Sequence, residues 1–542
     1  MTEHARPKPS IAKSAGIVGA AVMISRILGL LREKAIAYYF AAGIGGDVIL
    51  AAFRIPNLLR DLFAEGALSK SFITTFTATE IEDGEAAAWR LANRTLNVLG
   101  LLLAMVTFAG ILATPLIVEV MFLGDGFDVQ LDPQQHFGFA NKRDLTIQLT
   151  RIIFPFLMLI SFAAIAMGIL NSKGIFGIPA LASSFFNLTA MIVGIGGYYI
   201  LPALNYHPTI GMALGFLLGG AAQLFVQVPA LGRVGFRWQP LIRINDKRLK
   251  QIVRLTGPAL LGVAALQINV FVNSIFASEG DGWLSWISRS FRLLHLPIGM
   301  FGVAISTAAL PSLAKLAAAG DMEKFRHTFA NGFRLVLLLT LPSMVGLMLL
   351  AEPISRLIFE GGASTSTDTQ QTAAALFCFS FGLIGYAALK IVTDAFYATQ
   401  DTKTPMLVSL FTIALNIGLN YLFIYHFNMD HRSLAIATAT TVNLNFIILL
   451  TVLHRRNQGL GLGGLPVYLL KLCIASTLLA MVCYGSNIWL EATLGYAGLT
   501  AQAIAVFVPV LAGGFVFAGA GWLLRIQEVI TLASALKNRF GP

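Results

Sequence analysis

The chain has 542 residues, 56% hydrophobic and only 12% charged, with a formal net charge of +11. A soluble domain carries roughly 25% charged residues. The deficit here runs the whole length of the chain, which excludes a soluble fold or one with a single anchor. The apolar runs are continuous rather than alternating, which excludes a membrane β-barrel.

A membrane helix needs about 20 mostly apolar residues. In chain order such runs lie at 11–31, 44–78 (broken at Pro56), 95–122, 147–170, 177–201, 209–231, 252–277, 283–310, 333–358, 372–397, 406–427, 433–453, 465–488 and 500–524. They predict an all-α integral membrane protein of about 14 transmembrane helices. The first ten residues are polar and no small-residue cleavage site follows a short apolar core, so the first run is expected to stay as an anchor.

The basic residues follow a membrane rule rather than a nucleic-acid one. Lys and Arg collect in cytoplasmic loops. Counting alternate loops, one set holds Arg6, Lys8 and Lys13; Arg90; Lys173; the 232–251 linker with Arg233, Arg237, Arg243, Lys247, Arg248 and Lys250; Lys315, Lys324 and Arg326; Lys403; Arg455 and Arg456; and Lys537 and Arg539. The other set holds Asp125, Asp128 and Asp132, the EGDG tetrad at 279–282 and a Ser/Thr-rich loop with Asp368. Lys142, Arg143 and Arg432 are its exceptions. The bias predicts both termini in the cytoplasm. Cys378, Cys473 and Cys483 sit in apolar runs without metal or disulfide spacing and read as core residues.

Two stretches resemble each other. Residues 67–122 and 308–359 each have a helix end (GALSKSFITTF, AALPSLAKL), a polar linker, Ala-Asn at 92–93 or 330–331, and a Pro near the far end, Pro115 or Pro353. GILNSKGIFGIPAL around Pro179 likewise mirrors FYATQDTKTPML around Pro405. Equivalent elements enter from the same side, which predicts a parallel repeat. The domains expected are an N-terminal lobe (1–231), the basic linker (232–251), a C-terminal lobe (252–454) and two extra helices with a tail (455–542).

An ionisable side chain at the centre of a membrane helix costs at least about 2.5–3.5 kcal/mol, and normally faces protein or a watery cavity. The first run contains Arg26 and Arg32; the second Asp47, Arg54, Arg60, Asp61 and Glu65; the eighth Arg289, Arg292 and His295; the tenth Lys390 and Asp394. Arg32, Asp61 and Glu65 could instead snorkel at helix ends, and Lys390 with Asp394 could be a local pair. For Arg26, Arg54, Arg60 and Arg292 too few intramembrane acids are at hand, which points to a cationic cavity for an anionic ligand. Arginine suits that role because its planar fork grips phosphate and keeps its proton.

SRILGLLRE (25–33), FRIPNLLRDLFAEGALSKSF (53–72), LGVAALQIN (261–269), ALPSLAKL (309–316) and FYATQDTKTP (396–405) resemble segments of the MurJ/MviN family of lipid II flippases. The resemblance runs along essentially the whole chain. It implies two six-helix lobes plus two helices, and transport of undecaprenyl-pyrophosphate disaccharide-pentapeptide from the cytoplasmic to the periplasmic leaflet of a bacterial inner membrane by alternating access. It implies essential cavity arginines at Arg26, Arg32, Arg60 and Arg292, a basic position at Arg54, a lysine at Lys390 and an outer-end gating acid at Asp47. Arg289, His295 and Glu65 are further candidates.

The chain departs from the family at helix 8, where Phe291 and His295 stand at positions that usually hold acids. Some members are thought to bind sodium through acids; here those positions hold Asn273, with Asn416 and Asn420 nearby, weaker ligands for a hard cation. No metal site and no cofactor is expected. The driving force implied is the membrane potential, with room for a coupling cation. Expected partners are lipid II, membrane lipids and other cell-wall synthesis proteins, with no nucleic acid. Rival readings are an exporter of another polyprenyl-pyrophosphate-linked glycan or a drug, a membrane enzyme and a scaffold. A drug exporter would favour acids, the enzyme needs clustered acids or His/Asp that the scattered histidines do not supply, and the scaffold has no need of buried arginines.

Overall fold

The computed structural model describes residues 11–63, 67–243 and 245–540, without the side chains of 11–17, 62, 63, 67, 69, 70, 258–266 and 535–540. Glu65 therefore lies outside the described residues, as does part of the 261–269 segment. The described residues are helical apart from connections and the isolated bridges Gln130–Asn141 and Gly361–Ser364. They form two compact units, Met1–Ser285 and Trp286–Pro542.

Unit 1 holds α1 (Ile11–Phe40), α2 (Ile44–Phe63), α3 (Ala67–Asp83), α4 (Glu85–Met121), α5 (Lys142–Ile153), α6 (Phe156–Ser172), α7 (Gly177–Ile200), α8 (Thr209–Phe225), α9 (Val228–Arg233) and α10 (Lys247–Ala277). α11 (Trp283–Pro297) starts in unit 1 and ends in unit 2. The first N–H groups of a helix have no partner within it, so polar side chains stand at the starts of these apolar segments. Asn141 accepts from Asp144 N to begin α5, and Asp246 accepts from Arg248 N and Leu249 N to begin α10. One core gathers Val48, Phe156, Phe186 and Phe216; a second gathers Phe72, Phe76, Leu91 and Leu170. α10, which the sequence division assigned to the second lobe, packs against α2, α3 and α4. Pro56 lies inside α2, where the sequence predicted a break, and the helix runs on to Phe63.

Unit 2 continues with α12 (Ala304–Ala318), α13 (Met322–Leu349), α14 (Ala351–Phe359), α15 (Ser366–Ser380), α16 (Leu383–Ala398), α17 (Lys403–Tyr421), α18 (Arg432–Arg456), α19 (Leu465–Leu494), α20 (Leu499–Leu523) and α21 (Gln527–Phe540). Its core stacks Phe325, Phe329 and Phe333 on Ile391, Leu449 and Leu472. The Ser/Thr-rich loop ends in a capping box, Thr365 with Asp368, that starts α15. The two repeat segments differ at their far ends: α4 carries Pro115 inside one continuous helix, whereas α13 stops at Leu349 and Pro353 sits in the separate α14.

Among the described residues ten helices are long and apolar enough to span a membrane, and the bent pair α15–α16 makes an eleventh. The expected number of about 14 is thus not reached. The difference falls on α1, α2 and α10. The described side chains of α1 include Arg26, Arg32, Glu33 and Lys34, and α2 carries Asp47, Arg54, Arg60 and Asp61. In α10 the side chains of 258–266 are not described. Large apolar side chains point outward along single faces, as with Leu101, Met105, Phe108, Leu112 and Leu116 on α4. Such surface suits lipid rather than water. The chain is a multi-pass helical membrane protein.

Candidate functional site

The intramembrane charges of unit 1 have sharply different surroundings. Arg26 is exposed on α1. Arg32, two turns on, is 7% exposed. It donates to Asn187 Oδ1 at 3.0 Å and to Glu33 Oε1 at 2.7 Å, and its guanidinium lies 5.4 to 6.0 Å from the rings of Phe186, Phe216 and Phe53. That aromatic cage holds a cation by its ring faces. On α2, Arg54 donates to Ser274 Oγ at 2.9 Å, and Arg60 grips its neighbour Asp61 at 2.7 Å while Gln267 donates to the other Asp61 oxygen at 3.2 Å.

Asp47, on the first turn of α2, is fully buried. One of its oxygens accepts from Lys142 Nζ and Gly282 N, both at 2.8 Å. The other accepts from Ser285 N at 2.9 Å and Ser285 Oγ at 2.6 Å. A carboxylate offers about four acceptor positions, and here all are taken. Lys142 is equally satisfied: its ammonium also donates to Asp281 Oδ1 at 2.8 Å and Gly126 O at 3.1 Å, and stands 4.5 Å from the Phe127 ring centre. Gly126 must be glycine for this, since a β-carbon there would come within 2.4 Å of the Gly280 carbonyl carbon.

Sequence reasoning named Asp47 but did not join it to Lys142, Asp281 and Ser285. The signal was available: Lys142 breaks the loop-charge rule, and Asp281 belongs to the acidic tetrad of the same loop set. Arg143 and Arg432, the other exceptions, also have adjacent acids, Asp128 and Asp430.

In unit 2, Arg289 and Arg292 lie one turn apart on α11 and differ completely. Arg289 is 4% exposed, donates to Ser364 Oγ at 3.3 Å and lies 5.7 Å from the Phe359 ring. Arg292 is exposed, as are His295, which packs on Phe291, and Lys390. Asp394 accepts from Ser306 Oγ. Asn416 and Asn420 are buried; Asn420 donates to Asn416 Oδ1 at 3.2 Å and Asn416 to Thr441 Oγ1 at 3.4 Å. Asn273, in unit 1, is half-buried and donates to Asn269 at 2.9 Å.

Helices of this kind, bearing cations in apolar segments, define a helical membrane transporter rather than an enzyme. Solved structures share the fold: a lipid II flippase MurJ in an inward closed conformation matches with a TM-score of 0.74 at 24% identity, covering 94% of this chain and 99% of that one. An inward-facing multidrug resistance MATE family transporter matches with a TM-score of 0.67 at 15% identity, covering 82% and 98%. The family model for lipid II flippase MurJ matches residues 36–502. The probable lipid II flippase MurJ of Vibrio cholerae serotype O1 is 35% identical over 443 residues, 82% of each chain. The lipid II flippase MurJ of Burkholderia cenocepacia is 30% identical over 492 residues, 90% of this chain and 91% of that one. The chain belongs to the MurJ family.

Proposed function

We propose that this chain moves lipid II from the cytoplasmic to the periplasmic leaflet of a bacterial inner membrane by alternating access. The cations that serve the diphosphate in this reading are Arg26, Arg32, Arg54 and Arg60 in unit 1 and Arg292 and Lys390 in unit 2. The observation that carries this reading is the exposure of Arg26 and Arg292 on helices whose neighbouring residues are apolar. Charge is kept in such a place at a cost of at least about 2.5–3.5 kcal/mol, which a diphosphate offsets. Arg32 acts differently: held by Asn187 and three rings, it fixes α1 and sets the local field. The polyprenyl tail stays in lipid along α19 and α20, whose outward side chains include Leu470, Phe507 and Phe515. Both termini are cytoplasmic. The Lys and Arg collected in one alternate set of loops support this.

An inside-negative potential favours outward movement of an anion by about 2.3 kcal/mol per charge per 100 mV. Asn416 and Asn420 bond to each other and to Thr441, which favours a packing role over a sodium site. Transport therefore persists in choline under an imposed potential.

The test is replacement of the native flippase in a bacterium depleted of it. The chain restores growth and outward lipid II movement, and Arg26→Ala or Arg292→Ala abolishes both at normal protein level. Full rescue by both variants overturns the cationic cavity. Failure of the unaltered, membrane-inserted chain overturns lipid II as substrate in favour of another lipid-linked glycan.

A further inference from the structure

Two cavities at one end of unit 2 share Arg334. The first, of about 370 Å³, is lined from α13 by the adjacent Arg326 and His327, by Asn331 and Arg334 one and two turns further on, and by Glu323 one turn earlier. Its other wall is the loop after α18, where Gly459 and Gly461 adopt left-handed backbone (φ +110° and +67°). The second, of about 250 Å³, adds Lys471, Arg525 and Glu528 around Arg334. Four cations thus face two carboxylates.

The arginines are held but not satisfied. Arg334 lies 5.8 Å from the Tyr468 ring, and Tyr468 Oη donates to the Arg334 carbonyl at 2.8 Å. Nε of Arg326 and Nε of Arg334 are buried and have no hydrogen-bond partner among the described residues. Leaving a buried donor unmet costs about 1–3 kcal/mol, more for a charged group.

The internal repeat supplies a control. Asn331 corresponds to Asn93, and in unit 1 that face is covered by the linker. Asn93 donates to Arg237 O at 3.0 Å and accepts from Gln239 N at 2.7 Å, while Asn97 donates to Gln239 O at 2.7 Å. That face of unit 1 also borders a cavity, but an apolar one walled by Leu96, Phe162 and Phe236; in unit 2 the cavity wall is cationic. The positions of Ala88, Trp89 and Leu96 hold Arg326, His327 and Arg334.

We infer that this end of unit 2 binds a phosphate group, gripped by the forks of Arg326 and Arg334, at residues that the proposed transport cavity does not use. Guanidinium forks match phosphate oxygens, and basic pockets between membrane helices hold anionic headgroups. The phosphate can come on a phospholipid or free in solution. The lipid source is favoured by the flank of the second cavity, where Val467, Leu470, Trp522 and Leu523 are exposed.

The test is titration of the purified, delipidated full chain with dioctanoylphosphatidylglycerol, with dioctanoylglycerol, which lacks phosphate, and with inorganic phosphate. Saturable binding of the first, not the second, supports the site; if inorganic phosphate competes at similar concentration, the source is soluble, and if not, it is lipid. Arg326→Gln/Arg334→Gln weakens binding about tenfold or more, Arg326→Lys gives an intermediate loss, and Glu323→Gln tightens it by removing an opposing charge. Arg26→Gln/Arg292→Gln leaves this binding intact, so its outcome is independent of the transport reading. Equal binding of the two lipids, or affinity that follows Arg26 and Arg292 instead of Arg326 and Arg334, overturns the inference.

Discussion

Lys142 and Arg26 are both cations in otherwise apolar helices, and their surroundings are opposite. Every donor of Lys142 has a protein acceptor, its side chain has no exposed surface, and it bridges two carboxylates. Arg26 is exposed on a helix rich in Ile, Leu and Val. Burial with complete hydrogen bonding marks a charge that holds the protein together. Exposure within an apolar segment is what the proposed ligand-binding role of Arg26 requires. The sign of the charge is the same, so composition alone cannot separate these roles.

The largest test of that contrast is Lys142→Met. It leaves Asp47 buried without its cation, and breaking a buried pair from one side costs about 3–5 kcal/mol. The variant melts well below the parent, and adding Asp47→Asn recovers part of the loss. An unchanged melting temperature in the single variant would erase the distinction. A smaller effect, on one helix, sharpens it. Arg289→Ala loses about 1–3 kcal/mol with its contacts to Ser364 and Phe359, whereas Arg292→Ala, at an exposed side chain, loses less stability yet loses transport. Melting curves alongside complementation separate the two; matched stability losses would collapse the contrast.

A pH effect concerns a group with a partner but no charge. His207 lies between α7 and α8, 6% exposed, bonded to Thr209 Oγ1 at 2.6 Å and stacked on His136. Burial, then the neighbouring His136, pushes its imidazole down from 6.5 to about 4. The unfolded chain takes up a proton as pH falls through about 6.5 while the folded one does so only near 4, so stability declines across that window. Thermal melts of the parent therefore fall more steeply between these pH values than those of His207→Gln. Parallel slopes would remove His207 from the account.

The helical membrane architecture was legible because continuous apolar runs leave a membrane helix as the natural reading. α2 runs through Pro56 as one helix to Phe63, because a proline removes a single backbone hydrogen bond and that loss does not by itself end a helix. α10 follows a basic linker and packs on α3 and α4, contacts that no spacing in the sequence announces. Among site residues, Asp47 was visible as an acid in an apolar run. Its partners stand 95 and 238 residues away, at Lys142 and Ser285, and no helical spacing joins them. Arg289 and Arg292 share a face by spacing, which cannot tell a buried side chain from an exposed one.

The bonds of Asp47 also complete another helix. α11 begins at Trp283, and Gly282 N and Ser285 N are among the donors that its own turns cannot satisfy. Normally a side chain at the helix start serves as the cap; here the start is Gly282, which has none, and the carboxylate comes from α2. The first turn of α11 is therefore finished by a borrowed cap. Any movement that draws α2 away removes the partners of two backbone amides and one hydroxyl at the same moment, and leaves Lys142 with Asp281 as its one carboxylate. These bonds share one carboxylate, so the first turn of α11 is only as firmly held as the seat of α2.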